Sequence, residues 1–222
     1  MGISRTRLWL PLAGRYNVEN ALAAAAAALV SGASPSSILE GLATAPSAPG
    51  RLEPVSTNGR GFTLLVDYAH SEDALLNVCR VLRESLDARN SALSAPDSNS
   101  AAGAESGRLI VVFGCGGDRD KGKRAPMGRV VNAQADVAIV TSDNPRTEEP
   151  ARILGEILAG MEPRRAECVV EVDRRRAIEI ACGRARPGDV VLIAGKGHET
   201  TQTIGTNVLD FDDRKVAAEV MR

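Results

Sequence analysis

Residues 108–114, "RLIVVFG", place five consecutive apolar residues between an arginine and a glycine. A run this continuous is too apolar for a one-sided strand and too short for a helix, so it predicts a strand buried on both faces. The pattern recurs on either side of it. "TLLVD" (63–67), "VAIVTS" (137–142), "ECVVEV" (167–172) and "VVLIAG" (190–195) are further short apolar runs. Helices are predicted between them near residues 71–88, 124–133, 150–160 and 174–182, with a last one near 212–221. Strands alternating with helices predict an α/β fold, a mostly parallel sheet with helices on both faces. Ligands of such sheets bind at the carboxyl ends of the strands.

Those ends read "DYAH" (67–70), "GCGGDRDKGK" (114–123), "SDNPR" (142–146) and "GKGHE" (195–199), which gathers glycine and charge at one rim. Gly117 to Lys123 fits the Gly-x-x-x-x-Gly-Lys core of a phosphate loop. However, Arg124 stands where that loop needs a hydroxyl for magnesium, and four charged residues crowd its interior. A charged, glycine-flexed substrate loop is the better reading. Asp143, Asn144, Pro145 and Arg146 allow two readings. The first is a capped, proline-stiffened turn before a helix. The second is a zwitterion site, in which Arg146 grips a carboxylate while Asp143 and Asn144 meet an amine. In "GKGHE", Lys196 offers a cation, Glu199 a carboxylate, and His198 either a general base or a loop-orienting ring. Asp67 and His70 close the first strand, with Ser71 as a helix cap, and Asn17 and Asn20 offer a cap and a surface amide.

The 222 residues are 44% hydrophobic and 25% charged, enough to bury a substantial core. Net charge is -1, and one Trp, two Tyr and three Phe make base-stacking platforms unexpected, so neither nucleic acid nor a membrane is an expected partner. Cys79, Cys115, Cys168 and Cys182 show no paired metal spacing, and with two histidines no metal site is expected. Reduced buried thiols in a cytoplasmic protein are expected instead. The longest apolar run, "ALAAAAAALV" (21–30), is too short to span a bilayer, and no signal peptide is evident at the start.

The first 48 residues read as an extended segment and two helices, the first capped by Asn17 and ended by Gly32, the second capped by Ser34 with Pro35 at its first position. Residues 49–60 open with Pro49 and Gly50 and include Pro54, which reads as a hinge before a domain at 61–222. Residues 89–107, small and polar, are expected to be a flexible surface insertion.

Taken in order, "GRYNVENALAA", "PGRLE", "VDYAHSEDAL", "FGCGGDRDKGKRAPMG", "DNPRTEEP" and "AGKGHETTQ" resemble the Mur ligases, and within them the branch that adds meso-diaminopimelate. The resemblance covers nearly the whole chain outside the insertion. It implies that residues 1–48 are the end of the family's central ATP-binding domain and that 61–222 are its Rossmann-like C-terminal domain. Carried over by motif, Arg119, Asp143, Asn144, Pro145, Arg146, Gly195 and Glu199 would hold meso-diaminopimelate. Asn20, Arg51, Asp67 and His70 would face ATP, and His70 or His198 would take a proton from the attacking amine. The implied reaction is ATP-driven: the glutamate carboxylate of UDP-MurNAc-dipeptide becomes an acyl phosphate, and the amine displaces phosphate. The family's phosphate loop and uridine-nucleotide domain have no counterpart here, so ATP and Mg2+ would be held mainly by an N-terminal part, possibly supplied in trans. A monomer that does not turn over alone is expected.

Two departures stand out. Ser71-Glu72 replaces the family's usual Thr-Pro, and "GKGHETTQ" lacks a common Tyr before Gln202. Competing expectations are a lysine-adding or folylpolyglutamate-type ligase of the same superfamily, and a non-catalytic module that binds an amino acid or nucleotide. A dinucleotide-dependent oxidoreductase would need a glycine-rich turn after the first strand, and "VDYAHSED" has no glycine there.

Overall fold

A computed structural model describes residues 7, 8, 10, 14–93 and 106–222, which fall into two units, Met1–Ala48 and Pro49–Arg222. The first unit holds α1 (Arg15–Val30) and α2 (Pro35–Ala43). Alanine carries α1 because it loses no side-chain entropy in a helix, and Gly32, at φ 88, follows its end. Asn17 does not cap α1. The helix already begins at Arg15, after Gly14, so Asn17 lies inside its first turn. Ser34 does cap α2, accepting from the Ser37 N–H at 3.1 Å, with Pro35 at the first position.

In the second unit, β1 (Glu53–Val55) is followed by β2 (Thr63–Asp67), α3 (Glu72–Leu93), β3 (Leu109–Phe113), α4 (Arg124–Gln134) and β4 (Val137–Val140). Then come α5 (Pro150–Ala159), β5 (Glu167–Val170), α6 (Arg174–Arg184) and β6 (Val190–Ala194). A hairpin of β7 (Thr201–Ile204) and β8 (Asn207–Asp210) precedes α7 (Asp213–Val220). The six-stranded sheet runs β1-β2-β6-β3-β4-β5, and only β1 is antiparallel to its neighbour. The expected α/β architecture is thus present. Side chains alternate across it. Leu109, Val111 and Phe113 of β3 pack with α3, α4 and α5 on one face, while Ile110 and Val112 pack with α6 and α7 on the other.

Three features differ from the sequence reading. Residues 49–60, expected as a hinge, contain β1; Pro54 is tolerated there because an edge strand has one side free of ladder bonds. The β7–β8 hairpin was not expected. Gly205 at φ 59, followed by Thr206 between β-branched flanks, is the signal for it. Of the expected insertion, residues 89–93 continue α3, Gly107 is held to Asn90, and residues 94–105 lie outside the described residues.

The strand order creates the site. From β2 the chain crosses by α3 to β3, moves outward to β5, and returns over the opposite face to insert β6 between β2 and β3. Loops leaving adjacent strands therefore diverge at the carboxyl ends and leave a crevice.

Candidate amino-acid site at the carboxyl ends of the strands

At the end of β2, the buried Asp67 carboxylate accepts from the backbone N–H groups of Leu52 and Ala69, both at 2.8 Å. Burial raises its pKa and the two N–H bonds oppose that. Asp67 thereby locks the turn at 67–70 and ties the segment after Gly50 to it. The Arg51 guanidinium lies over the Tyr68 ring, 5.1 Å from its centroid, and the His198 ring sits 4.9 Å from the same ring. His70 Nδ1 lies 2.8 Å from the Tyr68 carbonyl. A carbonyl only accepts, so this nitrogen carries the hydrogen, and Nε2 of the neutral ring is left as an acceptor.

The loop after β3 is glycine-rich because it is packed against the loop after β4. A Cβ at Gly114 would lie 2.1 Å from the Thr141 carbonyl oxygen, and one at Gly117 would lie 1.9 Å from that of Pro145. Its N–H groups are also engaged: Gly117 donates to the Asn144 carbonyl (2.8 Å), Asp118 to Glu148 (2.6 Å) and Gly122 to Asp120 (2.8 Å). Arg124 is fully buried, bidentate to Glu148 at 2.9 and 3.1 Å and bonded to Glu156 at 2.8 Å. Arg124 and the Asp118 N–H pull the Glu148 carboxyl down to about 2. Gly117 to Arg124 is therefore an ion-paired clamp between α4 and α5, not a phosphate cradle.

In the loop after β4, Asp143 and Asn144 cap nothing. Helix α5 starts only at Pro150, with Glu149 before it and no side-chain cap. Both side chains instead meet Lys196, which is 0% exposed. Its ammonium donates to Asn144 Oδ1 (3.0 Å) and the Thr201 carbonyl (2.7 Å), with Asp143 at 3.4 Å and Glu199 at 3.6 Å. Burial lowers the Lys196 pKa, and Asp143 and Glu199 counter it. The Thr203 N–H also donates to Asn144 Oδ1, at 3.0 Å, while Asn144 Nδ2 donates to Glu199 at 3.1 Å. With its oxygen doubly engaged, Asn144 has only N–H left to offer a ligand. It therefore suits a carboxylate, in contrast to the expectation that it meets an amine.

Arg146 adopts φ 52, a left-handed conformation that costs a non-glycine residue about 1–3 kcal/mol unless its surroundings enforce it. The hairpin enforces it: Arg146 N donates to the Thr203 carbonyl (3.0 Å), and Gly205 N donates to the Arg146 carbonyl (2.7 Å). Nη1 is held by the Gly117 carbonyl at 2.7 Å.

Together these loops enclose a cavity of about 340 Å³. Of the residues expected in the site, His70, Arg119, Asp143, Asn144, Arg146, Gly195 and Glu199 line it. Tyr68, Gly116, Asp120 and Lys123 join them. Pro145 is buried behind its loop, Asp67 lies beneath the turn, and Arg51 and His198 flank Tyr68 outside the lining. Asn20 belongs to the first unit, exposed on α1, where it donates to Asn17 Oδ1 at 3.4 Å. Lys196 was not expected at the centre. A lysine between two glycines reads as an exposed loop cation, and its burial depends on chain distant in sequence.

Burial raises the thiols of Cys79 and Cys115 to about 12, so they are inert core groups. Among the described residues no cluster of His, Cys, Asp and Glu suits a metal ion.

A doubly wound sheet whose strand ends gather arginines, an amide and acids around one cavity defines an α/β domain with a polar ligand site of the kind such sheets carry at their carboxyl ends. Residues 97–197 match the Mur ligase, glutamate ligase domain, and similarity to Mur ligases extends along nearly the whole chain. It is similar to UDP-N-acetylmuramoyl-L-alanyl-D-glutamate–2,6-diaminopimelate ligase of Geobacillus kaustophilus, 47% identical over 95% of this chain and 39% of that protein. The same enzyme of Synechococcus is 43% identical over 97% of this chain and 40% of the relative. The chain thus spans about two-fifths of the length of these relatives. A solved structure of a ligase of this name superposes with TM-score 0.65 at 36% identity, covering 96% of this chain and 40% of that one. UDP-N-acetylmuramate-alanine ligase of Thermotoga maritima, at 16% identity, shares the fold with TM-score 0.64 over 98% of this chain and 39% of its own.

Proposed function

We propose that this chain is the C-terminal part of an ATP-dependent ligase that adds meso-diaminopimelate to UDP-N-acetylmuramoyl-L-alanyl-D-glutamate during peptidoglycan precursor synthesis. The observation that carries the reading is the cavity itself, where Arg146 and the Asn144 amide group stand beside the carboxylates of Asp143 and Glu199. Diaminopimelate has an amino-acid group at each end, so the end remote from the reaction needs partners for both charges. Arg146 and Asn144 donate to that carboxylate, Glu199 and Asp143 accept from that ammonium, and Arg119 faces the second carboxylate. A lysine-adding enzyme has no use for Arg146, because lysine lacks the second carboxylate.

The amine that attacks must be neutral, and of the two histidines only His70 lines the cavity, with Nε2 as its acceptor. His70 is accordingly the proton acceptor in this reading, and His198 orients Tyr68. The clamped segment Gly117 to Arg124 does not suit the phosphates of ATP, and among the described residues no cluster of His, Cys, Asp and Glu suits Mg2+. Both would be held by the part of the relatives' length that this chain does not span. Residues 1–48 would be the end of the central domain. Activity would be cytoplasmic, in keeping with the fact that no helix among the described residues is long and apolar enough to cross a membrane.

The test is calorimetry of meso-diaminopimelate and L-lysine with the purified chain. Leaving one member of a close charge pair without its partner costs about 2–5 kcal/mol. Diaminopimelate is expected to bind more tightly by that margin, and Arg146→Ala to remove most of it. Equal affinities would refute the reading.

A further inference from the structure

We propose that Lys196 is a positioning residue that fixes the Asn144 amide as a donor toward the ligand, and so sorts the site into a carboxylate side and an ammonium side. The inference rests on the amino-acid-site reading above. Lysine only donates, and so does a backbone N–H, so the Asn144 atom facing both Lys196 Nζ and Thr203 N is the oxygen. Reversing the amide would set its NH2 against two donors and its oxygen against the Glu199 carboxylate, now 3.1 Å from Nδ2. The same ammonium is the close cation for Asp143 Oδ1, which is buried and has no hydrogen bond.

Two carboxylates and one buried ammonium leave this corner with one negative charge, which matches a single ligand ammonium. The apparent competition between a lysine and a ligand amine for the same acids is thereby resolved. Lys196 holds Asp143 Oδ1 and Glu199 Oε2 from below, while their second oxygens remain for the ligand. Gly195, whose φ of 120 is a conformation that residues with a side chain rarely adopt, lies beside Asp143 Oδ2.

The test compares Lys196→Met, which keeps the bulk, with Lys196→Gln, which keeps N–H donors but loses the charge. The readouts are meso-diaminopimelate affinity and the side-chain NH2 signals of Asn144 in the 15N-asparagine-labelled chain, assigned by their loss in Asn144→Asp. Losing a charged hydrogen-bond donor predicts about a 30-fold weaker affinity for Lys196→Met. Lys196→Gln should lose less, and the Asn144 signals should move in Met but stay near the wild-type position in Gln. A side chain that only fills space would not produce that order. Wild-type affinity in Lys196→Met, or equal losses in the two variants, would overturn the proposal. If the wild-type chain binds no diaminopimelate, the ligand reading fails and the Asn144 signals alone decide: unmoved signals in Lys196→Met overturn the positioning role, and moved signals support it. Should the Met variant not fold, the Gln variant still decides, because displaced Asn144 signals there refute the role assigned to the N–H donors.

Discussion

Gly117→Ala is the most direct perturbation of the site, because it adds one methyl group between its two central loops. The new Cβ would sit 1.9 Å from the Pro145 carbonyl oxygen, 2.7 Å from its carbon and 3.2 Å from Glu148 Cβ. An ordinary carbon–oxygen contact is about 3.3 Å even for a weak C–H···O approach, so the loops must part by more than about 1 Å. Neither gives way cheaply. Gly117 N is bonded to the Asn144 carbonyl, Arg146 is pinned by β7, and Glu148 is gripped by Arg124. Overpacking of this kind costs about 1–3 kcal/mol, or a melting temperature lower by about 3–10 °C in a domain of this size. The same displacement moves Arg146, and a 1 Å misplacement in a site costs up to about 100-fold. The assays are thermal unfolding by circular dichroism and diaminopimelate affinity by calorimetry. Gly155→Ala is the control: nothing lies within 4 Å of a Cβ there, inside α5, and alanine favours a helix. Unchanged melting and affinity in Gly117→Ala would refute the claim that these glycines exist for loop packing.

Asp213→Ala should be among the most destabilising single changes, since it leaves the fully buried Arg174 without its bidentate partner at 2.7 and 2.8 Å. A loss of about 3–5 kcal/mol is expected in denaturant titration, and the double change Arg174→Met, Asp213→Leu should recover part of it. Acid should weaken the clamp between α4 and α5. Arg124 holds the Glu148 carboxyl near 2, below its ordinary 4.5, so the unfolded chain binds the proton first. That contribution is complete above about pH 4.5 and is lost as pH falls toward 2. Glu148→Gln should flatten stability measured across that window, and an unaltered acid slope would show that the pair contributes nothing.

The chain's own residues determined the sheet. "RLIVVFG", "VAIV" and "VVLIA" are apolar on both faces, and only a two-sided core satisfies such strands, so the α/β class and the polar rim followed from local pattern. Tertiary structure alone decided what the rim residues do. The glycines of "GCGG" serve loop packing rather than a phosphate, because the Thr141 and Pro145 carbonyls lie where a Cβ would be. Arg124, which spoils a phosphate loop in the sequence, turns out to be the buried centre of an ion-pair clamp. Asp143 and Asn144 could cap a helix or meet a ligand by sequence, and that they cap nothing depended on where α5 starts. Lys196 is the sharpest case. Its ammonium is met by the loop after β4 and by the segment leading into β7, and a charge can be buried only where enough oxygens converge on it. Convergence over 50 residues of sequence leaves no mark on local spacing, and so the residue that orders the site was legible only in three dimensions.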